Sequence, residues 1–353
     1  MAGADASDYR QPIKEKWEKS STHNEAISIH AGAEMRKSML EIQNLCKQYG
    51  RFMALNHMNL HIDKGELFGF VGPNGAGKTT TMKIVSGLLR ADFGTVMLDG
   101  VDALQDNDRL KDKIGYMPDF FGVYDNLKAI EYMEFYASAY GIVGKDATNL
   151  CMELMDLVNL KDKADTYVDT LSRGMKQRLC LARSMVHNPD ILILDEPASG
   201  LDPRARYEMK EILRNLHDMG KTILISSHIL PELAQMCTTI GIIEKGQMVV
   251  KGTVDEIMGH LNTSNPLEIQ VTGRLNETVE FLKEIPLVET ISIEEEKLIV
   301  KYNGGPEDER ELLKMMVAKD FPVHSFARNG GNLEDVFMEI TGKKGAFENE
   351  INV

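Results

Sequence analysis

The stretch GPNGAGKTTTMK, at residues 72–83, has residue types and a spacing suited to binding phosphate groups. Gly72, four further residues, and then Gly77, Lys78 and Thr79 complete the P-loop pattern. Glycines let backbone N–H groups converge on phosphates, and a helix that begins here adds the positive end of its dipole. The alternative is a structural glycine turn that binds nothing. The order of strand, loop and helix favours the phosphate site.

The P-loop residues divide the expected chemistry among them. Lys78 is predicted to reach the β- and γ-phosphates of a nucleotide, and Thr79 to offer its hydroxyl to Mg²⁺. The predicted nucleotide-binding residues of this loop are Gly72, Pro73, Asn74, Gly75, Ala76, Gly77, Lys78, Thr79 and Thr80.

Two elements must position this loop. ELFGFV, at residues 66–71, is apolar and predicts a buried strand, and TTTMKIVSGLL, at residues 79–89, predicts a helix. The helix is expected to pack on the core through four apolar residues: Met82, Ile84, Val85 and Leu88.

A second motif, DILILDEP at residues 190–197, places two carboxylates at the end of a predicted buried strand. Open α/β sheets bind ligands at the carboxyl ends of their strands. Asp195 is predicted to hold Mg²⁺, directly or through water, and Glu196 to act as general base on an attacking water. An acidic pair that merely caps a helix is the alternative. The P-loop upstream favours the catalytic interpretation.

Four further features resemble a known family. LSRGMKQRLCLARSM, at residues 171–185, resembles the LSGGQ signature of ATP-binding cassette proteins, and SGLDPRAR, at residues 199–206, is similar to their D-loop. ISSHIL places His228 as the switch histidine, and Tyr49 is similar to the aromatic residue on which these proteins stack adenine. The resemblance covers roughly residues 39–255, with six motifs in the family's order, so the chain is identified as a member of this family.

The resemblance implies an α/β P-loop NTPase fold with a RecA-like core, an antiparallel β subdomain and a helical subdomain. It also implies head-to-tail pairs, in which each nucleotide lies between one subunit's P-loop and the other's signature. Ser172 and Gly174 would then contact the γ-phosphate across the interface. His228 would orient the γ-phosphate and the water, and Asp202 would report to the other site.

This chain departs from the family pattern at two places. In the signature, Arg173 replaces a glycine and Met175 replaces the glutamine. The retained serine and glycine predict a competent site, while Arg173 either points outward or adds positive charge near the phosphate. Asp119 stands where the family usually has a glutamine that touches Mg²⁺ and senses the membrane partner. A carboxylate is a good magnesium ligand but adds negative charge beside a triphosphate, so Asp119 is either a metal ligand or an outward-facing loop residue.

The composition predicts a soluble cytosolic protein. The 54 acidic and 40 basic residues leave a formal net charge of −14, which argues against broad nucleic-acid binding. The four cysteines are widely spaced, without a metal or disulfide pattern, and are predicted to be reduced and buried. No apolar run approaches the ~20 residues of a spanning helix, and a signal-peptide core is lacking. Work at a membrane would therefore require a partner.

The pattern along the chain predicts several regions. Residues 1–38 are expected to form a flexible extension, and residues 39–261 an ATPase domain in which strands and helices alternate around a parallel sheet. Residues 267–342 are expected to form a small α+β domain with a βαββαβ order, a ferredoxin-like arrangement. That domain has no catalytic constellation and is expected to serve dimer support or regulation. Residues 343–353 form a tail, and NTSNP, at residues 262–266, is the predicted linker.

The layout resembles the ATP-binding subunits of bacterial multidrug, antibiotic or polysaccharide-type exporters. The expected function is hydrolysis of ATP, with Mg²⁺, to power export through a separate integral membrane permease at the cytoplasmic face of the membrane. A second cassette subunit is the expected partner. The aromatic-rich stretch after Asp119 begins the helical region that in this family receives the permease, although core packing is the alternative for its aromatic residues.

Two other functions are less consistent with the sequence. A soluble cassette ATPase acting on ribosomes or nucleic acid is disfavoured by the single cassette and the acidic charge. A regulatory subunit that binds nucleotide without hydrolysing it is disfavoured by the intact set of Lys78, Asp195, Glu196 and His228. The cargo, and whether the cassette pair is homo- or heterodimeric, stay open. The direction of transport rests on the resemblance.

Overall fold

The structure, a computed structural model, describes residues 37–120, 122, 126–254, 256–257, 266–294 and 297–328. The chain divides into two compact units at the bond between Lys251 and Gly252. Residues 1–36 of the predicted N-terminal extension, the tail and most of the linker lie outside the described residues, and Ser38, the last residue of the predicted extension, begins the first strand. The domain limits predicted from the sequence, 39–261 and 267–342, stay a prediction.

The strands are named in chain order. Those of the first unit are β1 (Ser38–Tyr49), β2 (Phe52–Asp63), β3 (Leu67–Val71), β4 (Phe93–Leu98), β5 (Val101–Asp102), β6 (Ile114–Met117), β7 (Ile191–Leu194), β8 (Thr222–Ser227), β9 (Thr239–Glu244) and β10 (Gln247–Gly252), the last of which ends at the division. Those of the second unit are β11 (Leu267–Val271), β12 (Val288–Glu294), β13 (Lys297–Tyr302) and β14 (Val323–Arg328).

The α-helices are named in the same way. They are α1 (Lys78–Val85), α2 (Asn107–Leu110), α3 (Ala129–Ala139), α4 (Gly144–Leu157), α5 (Arg173–Ser184), α6 (Pro203–Asp218), α7 (Leu230–Ala234), α8 (Leu275–Lys283) and α9 (Pro306–Ala318). Among the described helices, none combines the length and the apolar character that crossing a membrane requires.

A six-stranded sheet of order β10-β9-β3-β8-β7-β6 organises the first unit, and its neighbours from β9 to β6 run parallel. Every residue of β3, β7 and β8 is buried, as expected for strands covered on both faces. The carboxyl ends of parallel neighbours meet at one edge of the sheet. The loops that follow β3, β8 and β7 are therefore brought together, and the predicted α/β core is confirmed.

A second sheet, of order β2-β1-β4-β5, is antiparallel and forms the predicted β subdomain. Its buried side chains, Leu40, Ile42 and Leu45 among them, join the same hydrophobic cluster as Phe68 and Phe70 of β3. The hairpin that links β1 to β2 carries Tyr49 at the end of β1, opposite Phe52.

The helical subdomain comprises α3, α4 and α5. Tyr132 and Met133 of α3 are fully buried, so part of the aromatic-rich stretch is core. Arg183 of α5 donates to the Tyr132 hydroxyl at 3.0 Å and lies 4.8 Å from the centre of the Tyr136 ring, which ties the two helices together.

The second unit shows the predicted order βαββαβ, from β11 through α8, β12, β13 and α9 to β14. Its sheet has the order β12-β13-β11-β14, and every adjacent pair is antiparallel. Leu267, Ile269, Leu298 and Val300 build its core from the two central strands. The ferredoxin-like assignment itself stays a prediction.

Two expectations about buried side chains were wrong. The helix after the P-loop ends at Val85, and Gly87 then turns the chain at φ 71°, so Leu88 leaves the helical register and is 63% exposed. Cys46 is only half-buried, while Cys151, Cys180 and Cys237 are buried as predicted, and all four are free thiols.

Candidate nucleotide-binding and hydrolysis site

A cavity of about 320 Å³ opens beside the P-loop and brings most of the predicted site residues together. From the P-loop it is lined by Pro73, Asn74, Gly75, Ala76, Gly77, Lys78, Thr79 and Thr80. From elsewhere in the chain it is lined by Tyr49, Phe52, Ala54, Asp119, Glu196, Ser199 and His228. The cavity thus has an aromatic end, formed by Tyr49 and Phe52, and a catalytic end, formed by Glu196 and His228, with the P-loop as a third part of its lining.

Glycine is required at two points of the P-loop. A Cβ on Gly72 would collide with the carbonyl oxygen of Ile243, and one on Gly77 would lie 2.7 Å from that of Ala54. Gly77 also has φ 113°, a conformation that side chains rarely adopt, and it precedes the first residue of α1. The first N–H groups of a helix have no partner within that helix, so the start of α1 beside the cavity suits an anion.

Lys78 is held inside the loop. Its Nζ donates to the carbonyl oxygen of Gly72 at 2.6 Å and to that of Pro73 at 3.4 Å, and it lies 3.6 Å from Oε1 of Glu196. The side chain is only 6% exposed. Burial lowers the pKa of Lys78, and the negative charges of Glu196 and Asp195 oppose that shift. The Lys78 ammonium thus lies within the loop at which the P-loop pattern predicts phosphate binding.

Asp195 is fully buried, and one of its two carboxylate oxygens accepts a side-chain hydrogen bond. Its Oδ1 accepts from the Ser226 hydroxyl at 2.7 Å, and the backbone N–H of Glu196 donates to the same hydroxyl oxygen at 2.9 Å. Oδ2 is buried and has no hydrogen-bond partner among the described residues. Such an atom is costly unless a cation or an ordered water satisfies it.

These residues fit Mg²⁺. The buried oxygen of Asp195 without a hydrogen-bond partner among the described residues is a hard ligand, and Thr79 lines the cavity with a second oxygen donor, its hydroxyl. In the described part of the chain, no group of three or more His, Cys, Asp or Glu side chains could hold a metal ion alone. This is expected of Mg²⁺, which is usually held by one or two carboxylates together with substrate phosphates.

Glu196 and His228 form a pair at the catalytic end. Oε2 of Glu196 lies 2.9 Å from Nδ1 of His228, and the glutamate is mostly buried while the histidine is half-exposed. Glu196 has φ 51°, an uncommon left-handed conformation for a residue with a side chain. Its backbone is held there by the hydrogen bond to Ser226, and strain of this kind clusters at active sites.

The sequence did not identify two residues that support this site. Ser226 bridges Asp195 and Glu196, and Tyr116, on the strand next to β7, buries a hydroxyl that has no partner among the described residues. Burial and the negative charges of Asp195 and Asp119 raise the pKa of Tyr116, so its phenol keeps the proton. The available signal was a polar group within a buried strand, since such groups require partners.

The signature residues lie at the start of α5. Ser172 is exposed, and its Oγ accepts from the backbone N–H of Met175 at 3.3 Å as the helix N-cap. Gly174 is buried, and a Cβ there would lie 2.8 Å from Cβ of Ala205. Ser172, Gly174 and Asp202 do not line the described cavity of their own chain. Their predicted contacts with a second subunit's nucleotide stay a prediction.

Arg173 packs on the D-loop of its own chain. Gly200 has φ 65°, and a Cβ there would lie 2.6 Å from Cζ of Arg173, so the guanidinium rests directly on this glycine. Gln177 donates to the carbonyl oxygen of Ser199 at 3.2 Å, and Asp202 accepts from the N–H of Ala205 as the N-cap of α6.

Asp119 is exposed and lines the cavity; its role as a metal ligand stays a prediction.

Replacing Ser226 by alanine is expected to destabilise the fold by about 1–3 kcal/mol, because Oδ1 of Asp195 and the N–H of Glu196 lose their buried partner. The Mg²⁺ concentration needed for half-maximal ATPase activity should also rise. Thermal unfolding and magnesium titration measure the two effects. Ser227→Ala is the matched control, because Ser227 accepts from the N–H of Ile229 and does not bond to Asp195. An equal magnesium shift in both variants would argue against this arrangement.

Comparisons with known proteins agree with this geometry. A family model described as ABC transporter matches residues 55–199. The linearmycin resistance ATP-binding protein LnrL of Bacillus subtilis is 30% identical over 307 residues, which cover 86% of this chain and 99% of that protein. The Nod factor export ATP-binding protein I of Burkholderia thailandensis is 33% identical over 312 residues, with 88% and 99% covered.

The fold comparison points the same way. The ATP-binding cassette MJ0796, in a dimeric post-hydrolysis state bound to ADP and Pi, matches with a TM-score of 0.57 and 26% identity. The match covers 61% of this chain and 99% of that one. These relatives agree with a cavity lined by a P-loop and a glutamate–histidine pair, with the buried Asp195 next to Glu196 in the chain. The chain belongs to the ATP-binding cassette (ABC) transporter family and is an ATP-binding, ATP-hydrolysing subunit.

Proposed function

We propose that this chain powers export through a separate membrane permease, as one of two cassettes that close on ATP. The observation that carries the proposal is the single cavity in which Lys78 of the P-loop meets the Glu196–His228 pair. Relatives named for linearmycin resistance and Nod factor export match over 99% of their own length, which supports export and a shared layout that includes the second unit.

ATP binding begins at the aromatic end and the P-loop. Tyr49 stacks on the adenine, and the N–H groups that precede α1 donate to the phosphates. Lys78 moves its charge from Glu196 to the β- and γ-phosphates, because a polyphosphate offers more negative charge than one carboxylate. When bound, Mg²⁺ neutralises charge on the phosphate oxygens, and Thr79, Asp195 and Asp119 are its proposed ligands.

Hydrolysis uses the catalytic end. Glu196 accepts a proton from the water that attacks the γ-phosphorus, and the bond between that phosphorus and the β–γ bridging oxygen breaks, leaving ADP and phosphate. His228 lies 2.9 Å from the glutamate, close enough to hold it while orienting the γ-phosphate and the water. Ser226 keeps Glu196 in its left-handed conformation, so the carboxylate points into the cavity during the reaction.

A second cassette completes each site in this proposal. Ser172, at the N-terminus of α5, is exposed, and it would donate its hydroxyl to the γ-phosphate of a facing subunit together with the backbone at Gly174. Asp202 is the N-cap of α6 and would transmit closure of the cassette pair to the other site. The dimeric state of the MJ0796 cassette supports a pair, although it does not say whether this chain pairs with itself.

The permease would dock beside Asp119. Phe120 is 88% exposed and Phe135 of α3 is 51% exposed, so both leave apolar surface uncovered on the helical side of the first unit. Docking there would place the chain at the cytoplasmic face of the membrane. Nucleic acid is not an expected partner, and the second unit would serve dimer support or regulation.

The test uses a variant that is expected to bind ATP without hydrolysing it. We expect Glu196→Gln, tagged and expressed in the native host, to co-purify a multi-span membrane protein in comparable amount when membranes are solubilised gently with ATP. Lys78→Ala, which is expected not to bind ATP, is the matched control and should recover clearly less of that protein.

Two results would decide against transport. Recovery of ribosomes or DNA with Glu196→Gln would assign the chain to the soluble cassette ATPases, and absence of any enriched membrane protein would contradict the permease. Neither result would affect the nucleotide chemistry, since that is measured on the purified chain.

A further inference from the structure

Phe52 is an exposed aromatic residue that lines the nucleotide cavity and to which the hydrolysis chemistry assigns no task. It is 58% exposed, and Tyr49, across the hairpin, is 47% exposed. The two residues are direct register partners at the ends of β2 and β1. Partners in an antiparallel pair direct their side chains to the same face, with Cβ atoms about 5 Å apart. Both rings line the cavity.

The alternation along β2 supports this placement. Phe52 and Ala54 line the cavity, whereas Met53, between them, is 44% exposed and does not line the cavity in the described structure. Successive residues of a strand point to opposite faces, so Met53 belongs to the other face of the hairpin. Met53 can therefore serve as a control for Phe52, because its exposure is similar and it lies on the opposite face of the hairpin.

The hairpin tip is braced. Gly50 makes the turn with φ 58°, and Gln48 donates its side-chain amide to the carbonyl oxygen of Gly50 at 2.7 Å. Asp92 accepts from the backbone N–H of Gln48 and from Lys47, each at 2.7 Å. A tip fixed in this way presents two aromatic side chains at little further entropic cost to binding.

We propose that Phe52 and Tyr49 form a two-ring platform for the nucleobase, on which Phe52 makes the site selective for purines over pyrimidines. Phe52 is apolar and has no hydrogen-bonding group, so it contributes through area and stacking alone. The larger purine ring system reaches both side chains, while a pyrimidine covers less of them. Adenine and guanine are expected to benefit alike. The inference rests on ATP binding by this chain and is independent of the permease.

The experiment measures equilibrium binding by calorimetry in the full chain carrying Glu196→Gln, so that nucleotide is not consumed. The probes are ATP, GTP, CTP and inorganic tripolyphosphate, each with Mg²⁺. Phe52→Ala is expected to weaken ATP and GTP at least about fivefold, because stacking of a base on an aromatic side chain is worth that much or more. CTP should weaken less, and tripolyphosphate should change less than twofold.

Three further variants make the result specific. Met53→Ala, of similar exposure on the opposite face, should leave every affinity within twofold of the parent, and Phe52→Trp should retain the purine preference. Unchanged ATP affinity in Phe52→Ala overturns the proposal, as does an equal loss for tripolyphosphate, which would locate the defect at the P-loop. Full retention of purine preference in Phe52→Leu would also overturn stacking. Failure of the parent to bind ATP would instead contradict the proposed function.

Discussion

Replacing Glu196 by glutamine is expected to lower ATP turnover by about 10²–10⁴-fold while leaving ATP binding intact, because an amide cannot accept the proton of the attacking water. The substitution keeps the size of the side chain and a hydrogen-bonding group for His228, which lies 2.9 Å from the carboxylate. It also removes one negative charge beside the γ-phosphate position. The closed pair of cassettes should therefore persist with ATP, and size-exclusion chromatography measures it alongside phosphate release.

The matched control for this variant is Glu211→Gln. Glu211 lies on α6 and forms a half-exposed ion pair with Arg214 at 2.8 Å, and pairs of this kind contribute little to stability. Its turnover should stay near that of the parent. If Glu196→Gln retained a tenth or more of the activity, the glutamate would not be the general base. If it stayed monomeric in saturating ATP, the sandwich of two cassettes would be wrong for this protein.

Replacing Lys78 by alanine is expected to lower ATP affinity by about 10²-fold or more, because the phosphates lose a buried cation and its charge-assisted hydrogen bonds. The variant also leaves Glu196 without the ammonium that lies 3.6 Å away, so the cavity becomes more negative where the γ-phosphate must bind. Calorimetric titration with ATP and Mg²⁺ measures the loss.

Lys83→Ala is the control for this prediction, because Lys83 lies on the exposed side of the same helix. Thermal unfolding of both variants separates lost binding from lost fold, since Lys78 also donates to two carbonyl oxygens of the P-loop. ATP affinity within a few-fold of the parent in a folded Lys78→Ala variant would exclude the assigned role.

The sequence predicted those parts of the site that lie in short, continuous motifs. Gly72 through Thr80, Asp195, Glu196 and His228 each follow a short apolar strand, and a parallel sheet brings the ends of its strands to one edge. The βαββαβ order of the second unit was predicted for the same reason, because each element carries its own periodicity. Tyr49 was placed by resemblance; it lines the cavity, and its stacking on adenine stays a prediction.

The parts that the sequence did not predict depend on contacts between distant segments. Ser226 bonds to Asp195 and Glu196, which precede it by 31 and 30 positions, and only the adjacency of β7 and β8 reveals this. The contact of Arg173 with Gly200 joins the signature to a separate loop, and only the structure shows it. Leu88 was misplaced because one glycine turn ended the helix earlier than its apolar pattern indicated.

The contact between Lys78 and Glu196 gives the P-loop lysine a counter-ion from within the chain. A tethered carboxylate 3.6 Å from the ammonium competes at a high effective concentration with any dissolved anion. We expect a magnesium-bound triphosphate, which also engages the loop N–H groups and the aromatic tip, to take the place of Glu196 as the partner of Lys78. Release of Glu196 from Lys78 would therefore accompany nucleotide binding.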